Sequence, residues 1–168
     1  AVLQGELKIV DAVVDHLNLR LYMTDNVSER KFLFMPQFFD RAERDLLKQH
    51  LGAGSIFVDI GANAGIYSMT AAALTGPTGM VLAIEPNPQV LDRLKFNMSL
   101  NGFDHQMQVE QAAVSDAEGY VDLLLDDSNL GGASLVTERS ENKIRVSAHP
   151  LLSIVMKYHL PRIDAMKV

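Results

Sequence analysis

The sequence contains no cysteine among its 168 residues, which excludes disulfide bridges and thiolate metal sites. It also has no apolar run approaching the roughly 18 residues that a membrane-spanning helix needs. Its first residues lack the basic and apolar regions of a signal peptide, so we expect a cytoplasmic protein with no membrane partner. The five histidines show no metal-ligand spacing, and we expect no metal.

An excess of positive charge is missing as well. The chain has 15 basic and 21 acidic residues, which gives a net charge of −6. Proteins that bind nucleic acids usually present a basic face, so we expect no nucleic-acid partner. Hydrophobic residues make up 48% of the chain, which is enough for one domain with a real core and too little chain for two large ones.

Apolar periodicity divides the chain into an N-terminal segment and an alternating α/β segment. Residues 6–35 are predicted to be extended, and the spacing over 39–51 predicts a helix that ends at Gly52. Beyond it, strands are predicted at 55–60, 80–84, 107–114, 120–125, 144–147 and 163–168, helices at 64–74, 88–100 and 151–158, and a loop at 126–142. This alternation predicts a parallel sheet with right-handed crossovers.

The division into parts follows from this pattern. Residues 1–52 are expected to pack as strands and a helix on a Rossmann-like domain formed by 53–168. The run at 163–168 should lie beside the strand at 55–60, and the sequence stops there, after the fourth core strand. We therefore expect either a piece of a larger folded chain or self-association through an open sheet edge.

The strongest motif is Val-Asp-Ile-Gly-Ala-Asn-Ala-Gly at 58–65, where a strand passes into a helix. Gly61 and Gly65 permit a tight turn and a close approach of the backbone to a ligand. The following helix directs its positive end to the same point. The glycines could also serve only strand–helix packing. An acidic residue near the end of this strand and another at the end of the next strand favour a ligand site instead.

Those two acidic residues indicate the chemistry of the ligand. Asp59 directly precedes the loop, where it would repel a pyrophosphate but would suit the ammonium and sulfonium of S-adenosylmethionine. Glu85, at the end of the next strand, occupies the place from which Rossmann-like folds bind ribose hydroxyls. The Gly-x-Asn-x-Gly spacing lacks the dinucleotide fingerprint, which disfavours an NAD-dependent oxidoreductase domain without removing it.

These segments resemble the FkbM-type methyltransferase family over about residues 53–168. The resemblance is carried by Asp-Ile-Gly-Ala-Asn-Ala-Gly at 59–65, Ala-Ile-Glu-Pro-Asn-Pro at 83–88, Ala-Ala-Val-Ser-Asp at 112–116, Gly-Gly-Ala-Ser-Leu at 131–135 and Ile-Asp-Ala-Met-Lys-Val at 163–168. It implies a class I, Rossmann-like doubly wound α/β fold and methyl transfer from S-adenosylmethionine to a hydroxyl oxygen. The acceptor it implies is a small molecule or a carbohydrate.

The resemblance also implies a set of cofactor-binding residues: Asp59, Gly61, Ala62, Asn63, Gly65, Glu85, Pro86, Asn87, Ala113 and Ser115. By that match the loop lines the methionine part, Glu85 holds the ribose, and Asn87 and the segment 112–115 lie near the adenine. Asn87 is also well placed to cap the helix at 88–100, and this is the simpler interpretation of its side chain.

No catalytic residue can be assigned from the sequence. A hydroxyl acceptor would benefit from a general base, for which Asp126, Asp127 and His149 are weak candidates. The two aspartates fit ordinary turn chemistry before a glycine-rich loop better than catalysis. A module that binds the cofactor or a partner without transferring a methyl group therefore stays open as an alternative.

Overall fold

The computed structural model describes residues 8–126, 128–132, 134–135 and 142–168. Its strands are β1 Ile9–Val14, β2 Leu17–Tyr22, β3 Ile56–Ile60, β4 Met80–Ile84, β5 Met107–Glu110, β6 Ala113–Val114, β7 Gly119–Leu124, β8 Ser134–Leu135, β9 Lys143–His149 and β10 Ala165–Lys167. Its helices are α1 Val27–Phe34, α2 Arg41–His50, α3 Ile66–Thr75, α4 Pro88–Leu100 and α5 Leu151–Lys157. No helix in these ranges is long and apolar enough to cross a membrane.

The centre of the molecule is a parallel sheet in the order β10-β3-β4-β5. The Rossmann-like α/β prediction is confirmed, and the strand at the end of the chain pairs with β3 as expected. The inner strands β3 and β4 are apolar apart from Asp59, because both of their faces are covered. Such a sheet brings the carboxyl ends of all its strands to one edge, where ligands bind in this fold.

The two faces of the sheet have separate cores. Phe57, Val81 and Ala83 join a large cluster with side chains of α3, α4 and the N-terminal segment, among them Met69 and Leu94. The opposite face carries Val58, Leu82 and Ile84, which pack against Ile154 of α5. The alternation of these strand residues between the two cores is what fixes the register of the sheet.

Asn97 of α4 and Asn101, which directly follows this helix, hold the N-terminal hairpin β1–β2 in place. The backbone N–H of Arg20 donates to Asn97 Oδ1 at 2.8 Å, and Asn97 Nδ2 donates back to the carbonyl of Arg20 at 3.3 Å. Asn101 makes the same pair of bonds with the backbone of Asn18, at 2.9 and 2.7 Å. These amides satisfy the edge of β2 in place of a further strand.

The prediction of extended structure over 6–35 is wrong in its last part, because residues 27–34 form α1. Asn26 caps this helix, with its side-chain oxygen accepting from the N–H groups of Ser28 and Glu29 at 3.1 and 3.2 Å. Of the apolar run Phe32-Leu33-Phe34-Met35 at the end of this segment, only Phe32 is fully buried. An asparagine cap followed by one buried aromatic residue is helix chemistry.

A second sheet, in the order β6-β9-β7-β8, was not predicted. The single strand predicted at 107–114 is broken at Gln111 and Ala112, so that β5 stays in the parallel sheet while β6 pairs with β9. The second sheet has its own apolar cluster, formed by Ala113, Leu123, Leu125, Val146 and Ala148. The predicted loop 126–142 contains a 3₁₀ turn at Leu130–Gly132 and the short β8, while Ala133 lies outside the described residues.

Candidate functional site

The glycine loop at 61–65 joins β3 to α3 at the carboxyl edge of the sheet. Gly61, Asn63 and Gly65 all have positive φ angles, of 67°, 54° and 87°. The N–H groups of Gly61 and Ala62 both donate to the carbonyl of Ile84, at 2.9 and 3.0 Å. The loop is thereby attached to the end of β4, directly beside Glu85.

Glu85 connects the two loops that follow β3 and β4. Its Oε2 accepts from the backbone N–H of Asn63 and its Oε1 from that of Asn87, both at 2.8 Å. Burial raises the pKa of this carboxyl group, while the two N–H donors oppose the change. Each carboxylate oxygen has lone pairs beyond the one that these bonds use, so hydroxyl donors can still be accepted.

Asn63 is held by the protein itself. Its Oδ1 accepts from Asn26 Nδ2 and from the N–H of Ala64, both at 2.7 Å. Gly131 lies directly against it, because a Cβ atom at Gly131 would come within 2.2 Å of Asn63 Nδ2. The side chain of Asn63 therefore ties the glycine loop to the cap of α1 and to the loop that contains Gly131.

Asp59 is completely buried at the end of β3. Its Oδ2 accepts from Ser68 Oγ at 2.6 Å, whereas its Oδ1 has no hydrogen-bond partner among the residues that the structure describes. Burial raises the pKa of this carboxyl group, and the nearby Lys167 opposes the change. A buried, unsatisfied carboxylate oxygen beside a glycine loop fits the cationic part of a ligand.

Lys167 belongs to the site, although sequence reasoning treated it only as part of a resembling segment. It lies on β10 in register with Asp59, and its Nζ donates to the carbonyls of Ile60 and Gly61 at 3.2 and 2.8 Å. The distance from its Nζ to Asp59 Oδ1 is 3.4 Å. The predicted pairing of the last strand with β3 was the signal that could have placed it here.

A cavity of about 200 Å³ opens beside the glycine loop and Lys167. Its lining comprises Ser28, Phe39, Asp40, Gly61, Ala62, Asn63, Ala64, Ile66, Tyr67, Gly131 and Lys167. Asp40 precedes α2 but makes no capping bond and has a φ of 42°, while its Oδ2 accepts from the Tyr67 hydroxyl at 3.0 Å. Asp40 was missed because it falls inside the helix predicted over 39–51, whereas the helix in the structure begins at Arg41.

The residues predicted near the adenine have mainly structural contacts. Asn87 caps α4 by accepting from the N–H of Gln89 at 3.0 Å, and its Nδ2 donates to the carbonyl of Leu130 at 3.2 Å. Pro86 links Asn87 to Glu85. Ala113 is buried in β6, and the N–H of Ser115 donates to the carbonyl of His149 at 3.0 Å.

Two of the weak candidates for a base, Asp126 and His149, do not line this cavity. Asp126 accepts from the N–H and the hydroxyl of Ser128, at 2.9 and 2.5 Å, as a turn residue does. His149 pairs through Nδ1 with Glu118, and Asp127 lies outside the described residues. Within the described ranges, no group of three or more His, Asp or Glu side chains could hold a metal ion.

A parallel sheet with a glycine loop after one strand and an acidic residue after the next is the ligand-site architecture of Rossmann-like domains. Residues 59–168 of the chain match the family model described as the methyltransferase FkbM domain. Because this match spans more than half of the sequence, the chain belongs to the FkbM methyltransferase family. No curated protein matches the chain.

Several solved structures have a similar fold. TYW2 from P. horikoshii, in complex with MeSAdo, has 18% identity and a TM-score of 0.51 over 67% of this chain and 44% of its own. The SAM-dependent methyltransferase from Agrobacterium tumefaciens has 14% identity and a TM-score of 0.50 over 64% of this chain and 33% of its own. At these identities the likeness shows the fold alone. The chain spans less than half the length of either structure.

The prediction that nucleic acid is excluded as a partner is wrong, and the restriction to small-molecule or carbohydrate acceptors falls with it. The similar structures include aTrm5 in complex with tRNALeu, at 16% identity and a TM-score of 0.49 over 67% of this chain and 33% of its own. A net charge of −6 is a sum over the whole sequence. It therefore says nothing about the charge of one face of the molecule.

Proposed function

We propose that this chain binds S-adenosylmethionine at the glycine loop and forms the cofactor site of an enzyme that methylates a hydroxyl oxygen. The observation that carries the proposal is the pair of buried carboxylates, Asp59 and Glu85, on either side of the loop. Asp59 Oδ1 makes no hydrogen bond within the described residues and already attracts one cation, the ammonium of Lys167 at 3.4 Å, while Glu85 offers free lone pairs to hydroxyl groups. Family membership over residues 59–168 supports the same assignment.

When bound, the cofactor supplies a methyl group on a sulfonium whose thioether leaving group is neutral. The chain then has to position the reacting groups and exclude water rather than stabilise a large new charge. Asn63 donates its N–H to Glu85 and accepts from Asn26 Nδ2, and these two bonds fix the loop before any ligand arrives. The N-terminus of α3 offers the favourable field for the cofactor's carboxylate.

Asp40 is the carboxylate that this cavity offers as a proton acceptor. It lines the cavity together with the glycine loop and is oriented by the Tyr67 hydroxyl. Its backbone adopts the left-handed conformation, which for a residue other than glycine costs energy and is common at functional positions. We assign to it the removal of the proton from the acceptor hydroxyl, the role for which the sequence offered no good residue.

Replacing Glu85 by alanine should weaken the binding of S-adenosylhomocysteine by about 1–3 kcal/mol, because charge-assisted hydrogen bonds to the ribose are lost. Isothermal titration calorimetry measures this directly. Glu110 provides a matched control, since it is a buried glutamate at the end of the neighbouring β5 that bonds to Lys157 and Tyr158 instead. Glu110→Ala should leave the affinity unchanged, and an unchanged affinity in Glu85→Ala would contradict the ribose role.

Two further measurements test the class of function. Titration with NAD should give no binding where S-adenosylhomocysteine binds, and the reverse result would favour an oxidoreductase domain. Transfer of a labelled methyl group should then be followed with small hydroxyl compounds, carbohydrates and RNA as acceptors. Cofactor binding without transfer to any of these would favour a non-catalytic module.

A further inference from the structure

The ammonium group of Lys167 lies among three oxygen atoms where β3 passes into the glycine loop. The carbonyls of Ile60 and Gly61 both accept from its Nζ, at 3.2 and 2.8 Å, and Asp59 Oδ1 is 3.4 Å away. The Lys167 side chain is 32% exposed, whereas that of Asp59 is completely buried. Three oxygens from one strand end thus converge on one ammonium group that can reach solvent.

The same three oxygens have the chemistry that the α-ammonium of an amino-acid ligand requires. An ammonium carries three N–H donors and accepts nothing, so it is best satisfied by several oxygen acceptors. Asp59 Oδ1 adds a charge to the two carbonyls and lacks a hydrogen bond from any residue that the structure describes. Two cations a few ångströms apart in this partly buried place would repel each other strongly.

We infer that Ile60 O, Gly61 O and Asp59 Oδ1 form an ammonium subsite, and that Lys167 leaves this subsite when the α-ammonium of S-adenosylmethionine occupies it. The inference rests on the proposed function. It makes Lys167 a residue that determines specificity, because ligands with an amino-acid part must displace it and ligands without one need not.

A second favourable position for the Lys167 ammonium group lies within the same cavity. Its Nζ already lies 5.6 Å from the centroid of the Tyr67 ring, a cation–π distance. The carboxylate of Asp40 is bonded to the hydroxyl of that tyrosine. A rotation of the flexible lysine side chain toward the face of this ring would keep its charge compensated after it leaves the subsite, and Asp40 would stay able to accept a proton.

The test compares S-adenosylhomocysteine with 5′-methylthioadenosine, which has the same nucleoside but no amino-acid part. Lys167→Met keeps an unbranched side chain and removes the competing ammonium. Calorimetry should show S-adenosylhomocysteine binding to this variant about tenfold or more tightly than to the wild type. The affinity for 5′-methylthioadenosine should change by less than about twofold. Lys157→Met removes a lysine of α5 that pairs with Glu110 of β5, and it should change neither affinity.

The outcomes separate the two proposals. If the wild type bound neither ligand, the proposed function would be wrong and the subsite with it. If both ligands bound and Lys167→Met left their ratio unchanged or weakened S-adenosylhomocysteine, the subsite alone would be wrong. In wild-type protein labelled with [¹³C]lysine, S-adenosylhomocysteine should shift one lysine resonance that 5′-methylthioadenosine leaves in place. This measurement tests the inference even where the variant does not fold.

Discussion

Replacing Gly65 by alanine should lower the free energy of unfolding by roughly 2–5 kcal/mol. Its φ of +87° costs an alanine roughly 1–2 kcal/mol. A Cβ atom there would also lie 2.8 Å from Leu94 Cγ and 3.1 Å from Met69 Cε, both in fully buried side chains. Overpacking of this kind typically adds about 1–3 kcal/mol. Urea denaturation followed by circular dichroism measures the loss.

Gly61→Ala is the matched comparison within the same loop. Gly61 also has a positive φ, of +67°, but a Cβ atom there would meet nothing within 4 Å. Only the backbone cost of roughly 1–2 kcal/mol is expected. Equal losses in the two variants would show that contact with Leu94 and Met69 is unimportant. Because Gly61 lines the cavity and Gly65 does not, Gly61 is the better position for testing ligand contact.

The parallel sheet could be predicted from local signals. The strand at 80–84 and the helix at 88–100 have the predicted bounds, because a short apolar run and the Asn87-Pro88 start are decisive by themselves. The second sheet could not be predicted in this way. β6 and β9 pair across more than thirty residues of sequence, and nothing in the run 107–114 marks the change of sheet at Gln111.

The residues of the site divide in the same way, into those that local sequence signals predict and those that they do not. The glycine loop, Asp59 and Glu85 follow from a motif that needs only a strand, a turn and a helix. Lys167 lies 107 residues from Ile60 in the sequence, and its contact with the loop depends on the order of the strands in the sheet. Asp40 and Asn26 come from an N-terminal segment whose packing no local pattern specifies. The sequence therefore predicts the glycine loop and its two carboxylates, but it does not predict that Lys167, Asp40 and Asn26 lie around them.

Replacing Arg93 by methionine should lower the free energy of unfolding by about 3–5 kcal/mol at pH 8, the usual cost of leaving buried charges without their partner. Arg93 donates to both oxygens of Asp25, at 2.9 and 2.8 Å, and to Glu29 Oε2 at 3.0 Å. Its guanidinium also lies 3.8 Å from the centroid of the Tyr22 ring. Arg20→Met is the matched control, because Arg20 pairs with Asp11 at an exposed position, where such bonds contribute little.

The loss should depend on pH with a definite sign. Burial raises the pKa of Glu29 to about 7 even with Arg93 present, above its ordinary value of 4.5. The folded chain therefore binds this proton more tightly than the unfolded chain, so the wild type loses stability from Glu29 as the pH rises from about 4.5 to 7. Without Arg93 the carboxyl should hold its proton still more tightly, which makes the cost of the substitution smaller at pH 5 than at pH 8.

The same substitution should also affect the glycine loop. The carbonyl of Asp25 accepts from the N–H of Leu130 at 2.7 Å, and the adjacent Asn26 holds Asn63. Arg93 thus anchors the segment that supports the glycine loop from outside the cavity. We expect Arg93→Met to weaken the binding of S-adenosylhomocysteine under conditions where the variant is still folded. A stability loss that is the same at pH 5 and pH 8 would show that Glu29 is not the group left uncompensated.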